Sequence, residues 1–335
     1  MDSLTHLVLG AAIGEALLGK QLGKKAMLWG ALADTIPDLD VFFTPLFSQP
    51  TSLMVHRGIT HSILFALVMS PAIGLLFSKI KFKRQAAFRD WTKLFAFGMF
   101  THIVLDSFTA YGTGWFEPFS HYRVTFNTIF VADLFYTLPL LVCCIALLFL
   151  RTDSLRRRTW NRAGLILSSL YLLFTFVNKM YVDHVFKRSL SEKYISYQRF
   201  FSTPTPLNNF LWMGVAEDST GYQVGYFSDL DSKQEVIFNR IDRGMDQVPA
   251  DADPESLKIL KWFSDNYYCL RRDDSTTYFN DLRFGQLWGW ESADAPFAFS
   301  FNISGKNVQR PLNRGRYKGT LGENFEKLLK RICGN

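Results

Sequence analysis

Cysteine is scarce in this chain, with four residues in 335, and histidine is little commoner, with six. So few cysteines exclude a dense disulfide framework as the source of stability. Cys143 and Cys144 sit inside an apolar run and read as small core residues. Cys269 and Cys333 are the remaining pair, and spacing alone leaves open whether they bridge. No Gly-x-Ser-x-Gly elbow or Cys-His motif supplies an activated side-chain nucleophile. The start, Met1-Asp2-Ser3, has no basic character, and no small-residue cleavage site follows a clean apolar core. The first apolar segment is therefore expected to stay in the protein. An internal repeat of the kind many transporters show is also missing.

What is present falls into two unlike halves, so a mean hydropathy near zero is an average of two populations. Residues 1–185 carry long apolar runs, and residues 186–335 mix charge, Gly, Asn and aromatics. The expected architecture is an α-helical membrane domain of four to six membrane helices followed by a smaller α+β soluble domain. Crossing a bilayer takes roughly 20 apolar residues, and residues 59–80, 91–110, 129–150 and 163–181 approach or reach that length. Two shorter runs, 4–18 and 26–43, are interrupted by Glu15, Asp34 and Pro37.

Lys and Arg cluster in alternate loops: at Lys20, Lys24 and Lys25, then from Lys79 through Lys81, Lys83 and Arg84 to Lys93, then from Arg151 to Arg162. The tendency of short basic loops to remain in the cytoplasm predicts a multi-pass protein of the bacterial inner membrane with its C-terminal domain outside. These loops explain most of the net charge of +7, so no nucleic-acid partner is expected. The bilayer itself is the expected partner, and nothing in the sequence bears on oligomeric state.

Four of the six histidines, His6, His56, His61 and His102, lie in the apolar half, in company with Asp34, Asp38, Asp40 and Asp106. Imidazole and carboxylate are costly in apolar surroundings unless paired or bound to a metal. His102 and Asp106 are four apart and share one helix face. In His56-Arg-Gly-Ile-Thr-His61, Gly58 permits a bend. Pro37 should break the helix after Asp34 and leave Asp38 and Asp40 in a turn, with Asp40 toward solvent. In the predicted topology every one of these residues falls at one membrane face. Mixed imidazole and carboxylate donors suit zinc first, with manganese or iron as alternatives, better than magnesium or calcium.

The strings Asp2-Ser-Leu-Thr-His6, Ala33-Asp-Thr-Ile-Pro-Asp-Leu-Asp40, His56-Arg-Gly-Ile-Thr-His61, Thr101-His-Ile-Val-Leu-Asp106, Tyr111-Gly-Thr113 and Pro118-Phe-Ser120 resemble the bacterial inner-membrane metal-dependent hydrolases of the YdjM type. The resemblance covers roughly residues 1–185, and the region around Thr203, Asn209, Trp212 and 221–228 is similar to a C-terminal extension of some members. A more distant likeness is to the zinc phospholipase C and P1 nuclease group, although the later His and His-x-x-x-Glu of that group are missing.

These resemblances imply a hydrolase holding one or two divalent metal ions. His6, Asp34, His56, His61, His102 and Asp106 would form the metal shell, with Asp133 as a substitute ligand. Asp38 would be the base or a further ligand, and Arg57 the clamp for an anionic substrate. The expected reaction is attack of metal-activated water on an ester, foremost a phosphoester, of a lipid or other amphiphile at the outer membrane face. A metal-ion transporter and a metal-stabilised scaffold or sensor are the rival readings.

In the second half, residues 210–216, 222–227 and 234–238 alternate as strands. A helix is expected from Asp253-Pro254 to about Asp265, and another over residues 325–332.

Overall fold

The computed structural model describes residues 1–80, 86–305, 308–310 and 321–334. Lys81, Lys83 and Arg84 of the second basic cluster lie outside the described residues. The chain divides into two compact units. One comprises 1–44, 55–176 and 206–208, and the other 45–54, 177–205 and 209–335.

The first unit is helical. Its elements are α1 (Ser3–Leu22), α2 (Lys25–Thr35), a 3-10 turn Pro37–Phe42, the end of the short α3 (Gln49–Val55), a second 3-10 turn Ile59–His61, α4 (Ile63–Lys79), α5 (Phe88–Asp106), α6 (Leu134–Phe149) and the first part of α7 (Leu155–Glu192). The apolar residues sort onto two packed faces. Val8, Leu9, Ala12 and Ile13 of α1 meet Leu105 of α5 and Tyr136, Leu140 and Leu147 of α6. Ala26 and Ala33 of α2 meet Leu94, Phe95, Met99 and Ile103 of α5.

Three glycines set how closely these helices approach. A Cβ on Gly30 would lie 2.1 Å from the Gly10 carbonyl oxygen, one on Gly10 would lie 2.5 Å from the Gly30 oxygen, and one on Gly98 would lie 2.8 Å from Ala33 Cβ. Each glycine is four residues, one helical turn, from a polar residue of interest: His6 on α1, Asp34 on α2 and His102 on α5. Backbones that touch at the glycines therefore carry those three side chains to one place. The same unit contains a buried ion pair, with Arg157 Nε donating to Glu15 Oε1 at 2.7 Å and its terminal nitrogen to Oε2 at 2.6 Å. Arg157 is thus a partner of α1, although its position in the sequence groups it with the basic loop.

The expectation of four to six membrane helices is not met. Among the described residues only α7, with 38 residues, is long and apolar enough to cross by itself. Gln49–His61 and Ile63–Lys79 reach the same standard only when taken together, across a 55° bend. The reason is where the helices begin and end. α6 starts at Leu134 and has 16 residues, because the first part of the apolar run from Ile129 is not helical. The run 91–110 leaves its helix at Asp106, and α5 carries Arg89, Asp90, Lys93, His102 and Asp106. α2 has 11 residues, and α1, though it has 20, includes His6, Glu15 and Lys20. One or two helices, α7 and the bent pair, are therefore long and apolar enough to span. On α7, Ile166, Leu170, Leu173, Val177 and Met180 recur at spacings of three and four and are all exposed.

The second unit is an antiparallel β domain with two added helices. A four-stranded meander runs β1 (Arg199–Pro204), β2 (Leu211–Glu217), β3 (Gly221–Ser228), β4 (Phe238–Asp242), and a three-stranded sheet runs β5 (Tyr268–Asp273), β6 (Thr276–Asp281), β7 (Ser300–Asn302). Two of the expected strands match β2 and β3, whereas the third is displaced to Phe238–Asp242. α8 (Pro254–Phe263) opens as expected, with the Asp253 side chain accepting from the Ser256 backbone N–H, and α9 (Leu321–Ile332) closes the chain. Val182, Val185 and Phe186 of α7 pack on Trp212 and Phe227, and Gly214 leaves room for the Phe186 ring. Cys269 is a buried free thiol in β5 and Cys333 an exposed one after α9, so the pair does not bridge.

Asp229 follows β3 and accepts from Asn178 Nδ2 at 2.7 Å, while its other oxygen is buried without a hydrogen-bond partner. Burial raises its carboxyl to about 6, and the charge of Asp231 adds to the shift.

Two measurements test these contacts. Gly30→Ala drives a methyl group into α1 and should cost about 1–3 kcal/mol, read as a lower melting temperature in detergent; melting at the parent temperature would refute the close crossing. For Asp229, a folded-state value above the unfolded one means stability that is full at low pH and lost as pH rises through about 6. The melting temperature should fall between about pH 4 and about pH 6 and level off above that, and Asp229→Asn should flatten that fall.

Candidate metal centre

Local structure brings the polar residues of the first unit into one cluster. α1 begins at a cap in which Asp2 Oδ1 accepts from the Thr5 N–H at 3.1 Å, which places His6 in the second turn. Pro37 ends α2 as expected, and the turn that follows turns Asp38 and Asp40 inward. His102 and Asp106 lie on the last turns of α5. His61 closes the Ile59–His61 turn, immediately before the Ser62 cap of α4. The bend expected at Gly58 is made one residue earlier: Arg57 has φ of 60°. Its backbone is held there because its N–H donates to Asp40 Oδ2 at 2.9 Å and its carbonyl accepts from the Gly114 N–H at 2.9 Å.

At the centre, four donor atoms from Asp38, His61, His102 and Asp106 converge. His61 Nε2 and His102 Nε2 are 3.2 Å apart. Asp38 Oδ1 lies 3.5 Å from the first and 3.4 Å from the second, and Asp106 Oδ2 lies 3.5 Å and 3.6 Å from them. A tetrahedral ion with bonds of about 2.0–2.2 Å would need donors separated by about 3.3–3.6 Å along each edge. Four of the five distances fall in that range, and the fifth, 3.2 Å between the two imidazole nitrogens, lies just below it. A proton shared between the two nitrogens would satisfy only that pair and leave both carboxylate oxygens facing them. His61, His102 and Asp106 are fully buried, and Asp38 is 22 % exposed, so solvent meets the set on the Asp38 side.

A second layer of carboxylates stands behind the imidazoles. Asp34 Oδ2 lies 3.0 Å from His6 Nδ1 and 3.6 Å from His102 Nδ1, and Thr101 Oγ1 donates to Asp34 Oδ1 at 3.2 Å. Asp40 Oδ2 lies 3.5 Å from His61 Nδ1 and accepts from Thr60 Oγ1 at 2.9 Å, while Oδ1 lies 2.9 Å from His56 Nδ1. A partner at Nδ1 leaves Nε2 as the free donor, the arrangement that orients metal-binding histidines. Thr60 Oγ1 lies 3.0 Å from His61 Nδ1 and links that ring to Asp40, whereas His102 Nδ1 has the Asp34 carboxylate as a charged neighbour without a hydrogen bond.

His6 stacks on His102 with ring centres 3.7 Å apart, and its Nε2 lies 3.2 Å from Asp106 Oδ1. The Met1 amine also approaches Asp106 Oδ1. Two further donor groups adjoin the centre, His6–Asp34–His102 and Asp38–Asp40–His56. Burial raises the Asp34 carboxyl. Burial also acts to raise Asp38, but hydrogen bonds and charge from His102 and His61 outweigh it and hold that carboxyl well below the usual range.

Three residues differ from their expected placement. Asp40 is buried, not solvent-facing, because its carboxylate accepts from the backbone and side chains of the 56–60 segment. Arg57 is 4 % exposed, with Nε 3.1 Å from Asp106 Oδ2 and its guanidinium 4.8 Å from the Tyr111 ring centre, so it is a buried counter-charge of the cluster. Asp133 belongs to none of the described donor groups. Its Oδ1 caps α6 by accepting from the Phe135 and Tyr136 N–H groups, and its Oδ2 accepts from the Tyr171 hydroxyl at 2.9 Å. The apolar run 129–150 does not mark where its helix begins, and α6 starts after Asp133. Sequence reading also passed over Thr109, which accepts from an Arg57 terminal nitrogen at 3.2 Å; its signal was its position three residues after Asp106.

Similarity to known proteins follows the same stretch of chain. The family model described as YdjM inner membrane protein matches residues 1–182, which include every candidate donor. Uncharacterized protein YfhP of Bacillus subtilis (strain 168) is 36 % identical over 148 residues, 40 % of this chain and 42 % of that one. Inner membrane protein YbcI of Escherichia coli (strain K12) is 30 % identical over 122 residues, 36 % of this chain and 69 % of that one. The chain thus spans less than half the length of the Bacillus relative. No solved structure matches, and none of these matches shows the likeness to the zinc phospholipase C and P1 nuclease group. With more than half of its length matched, from the cap of α1 through the last donor and into α7, the chain belongs to the YdjM inner membrane protein family.

Proposed function

We propose that this protein is a membrane-bound metal-dependent hydrolase whose centre is the set Asp38, His61, His102 and Asp106. The observation that carries the reading is the near-tetrahedral spacing of four buried or half-buried donor atoms, 3.2–3.6 Å apart along five edges. Zinc fits the donor chemistry best, with manganese or iron as alternatives. A divalent ion held there would lower the pKa of water toward ~7 and polarise a phosphoryl or carbonyl oxygen.

The protein's own groups supply the rest. Asp38 is the most exposed of the four, so it is the group placed to meet attacking water at the solvent side. Arg57, beside Asp106, keeps positive charge next to the centre and favours an anionic group there. Asp40 orients the His61 ring through the Thr60 hydroxyl, and the Asp34 charge faces His102 Nδ1. The substrate class we assign is a phosphoester of a lipid or other amphiphile. A metal-stabilised scaffold without catalysis is the second reading, favoured by one observation: four protein donors would fill a tetrahedral shell, as structural sites do.

Purified in detergent, the protein should carry one or two divalent ions by elemental analysis and cleave at least one member of a panel of phospholipids and phosphodiesters. The double variant His102→Ala, Asp106→Ala should lose both metal and cleavage. Asp38→Asn should lose about 10²–10⁴ in rate. A metal-loaded protein inert on every ester would leave the scaffold reading ahead, and ion uptake by sealed vesicles would favour transport. Asp40→Ala removes no central donor, yet should weaken metal retention against a chelator by about 10–100-fold; unchanged retention would refute its orienting role.

A further inference from the structure

The turn that presents Asp38 and Asp40 inward presents its remaining side chains outward. Val41, Phe42 and Phe43 are exposed, Phe42 by 75 %. The segment it is tied to through Asp40, residues 57–60, exposes Ile59, and the loop tied in turn to that segment exposes Phe116 and Phe119, the latter by 84 %. The ties are backbone hydrogen bonds from Gly114 to the Arg57 carbonyl and from Ile63 to the Trp115 carbonyl, so the three segments are held next to one another.

Six large apolar side chains exposed on three adjoining segments are more than scattered exposure explains. Aromatic residues at the edge of a polar site are also the composition of a membrane interface. The surface continues directly into α4, whose Leu64, Leu67, Val68, Leu75 and Leu76 are exposed on a helix that belongs to the bent candidate span. Access to the donor set lies on this side, because Asp38 and His56, at 22 % and 27 %, are the partly exposed members of the donor groups and adjoin the same turn.

We propose that the centre opens into the bilayer surface through this apolar rim, so that the substrate is a membrane lipid whose acyl chains lie against Phe42 and Phe43 while its headgroup reaches Asp38. The chemical step rests on the metal-hydrolase reading. The insertion of the rim does not, and can be measured without turnover.

A nitroxide label at Phe42→Cys, in a Cys333→Ser background and in nanodiscs of phosphatidylethanolamine and phosphatidylglycerol, should collide more with oxygen than with a water-soluble nickel chelate. It should behave like a label at Leu67→Cys on α4 and unlike one at Asp242→Cys, whose native side chain is 80 % exposed in the β domain. A Phe42 label as open to nickel as the Asp242 label would overturn the inference, whatever the enzyme does. In the full protein, Phe42→Ser with Phe43→Ser should keep its bound metal and lose about tenfold or more in cleavage of phospholipid in vesicles, with little change on a short-chain soluble phosphodiester. Equal loss on both substrates would refute acyl-chain contact. Absence of cleavage in the parent would count against the hydrolase alone, and the label would still decide the rim.

Discussion

Two carboxylates each stand within 3.6 Å of two touching imidazoles, and three of the four residues have no exposure to water. Polar groups so placed are stable only where charge and hydrogen-bonding capacity are answered locally. The neighbouring structure supplies those answers in order. Asp34 and Asp40 stand at the rear nitrogens of His102 and His61, Thr101 and Thr60 donate to those carboxylates, and Arg57 sits against Asp106. The meeting of the four donors themselves is left short of partners, with Asp106 Oδ2 buried without a hydrogen bond, and a divalent cation is a species whose charge and geometry would fit it.

That cluster constrains the helices more than their apolar faces do. Apolar packing tolerates shifts between side chains of similar volume, whereas a ring nitrogen has to meet a carboxylate within a few tenths of an ångström. The glycines at the crossings of α1, α2 and α5 resolve the difference. They let backbones touch one turn away from His6, Asp34 and His102, where any error in helix separation would be carried to the donors.

Much of the centre could be read in the sequence, because its chemistry is local. His102-x-x-x-Asp106 needs only helical periodicity, and Pro37 had to end α2 and place Asp38 and Asp40 in a turn. The orienting layer was less legible. Asp40 looks like a surface residue until Arg57 adopts a left-handed backbone and aims its N–H at the carboxylate, a long-range event that no spacing reveals. Asp133 failed for the complementary reason. Hydropathy marks an apolar run but not the residue at which the backbone becomes helical, so a cap was read as a ligand. The count of membrane helices failed in the same way, since runs were counted through Ser62 and through Ile129–Asp133, where the helices are interrupted or have not begun.

The turn after Pro37 also shows why a single short segment can serve two environments. In a 3-10 turn each residue advances by about a third of a revolution, so a run of six cannot present one face only. Asp38 and Asp40 face the donors, which leaves the third direction, shared by Leu39 and Phe42, to face outward. In water those outward residues would be better as polar ones, and nothing in the hydrogen bonding of the turn requires them to be apolar. Their composition therefore reports on what lies outside the turn, as the composition of Asp38 and Asp40 reports on what lies inside it. For a member of an inner membrane family, an apolar exterior beside a charged interior is the arrangement expected where a polar centre meets the edge of a bilayer.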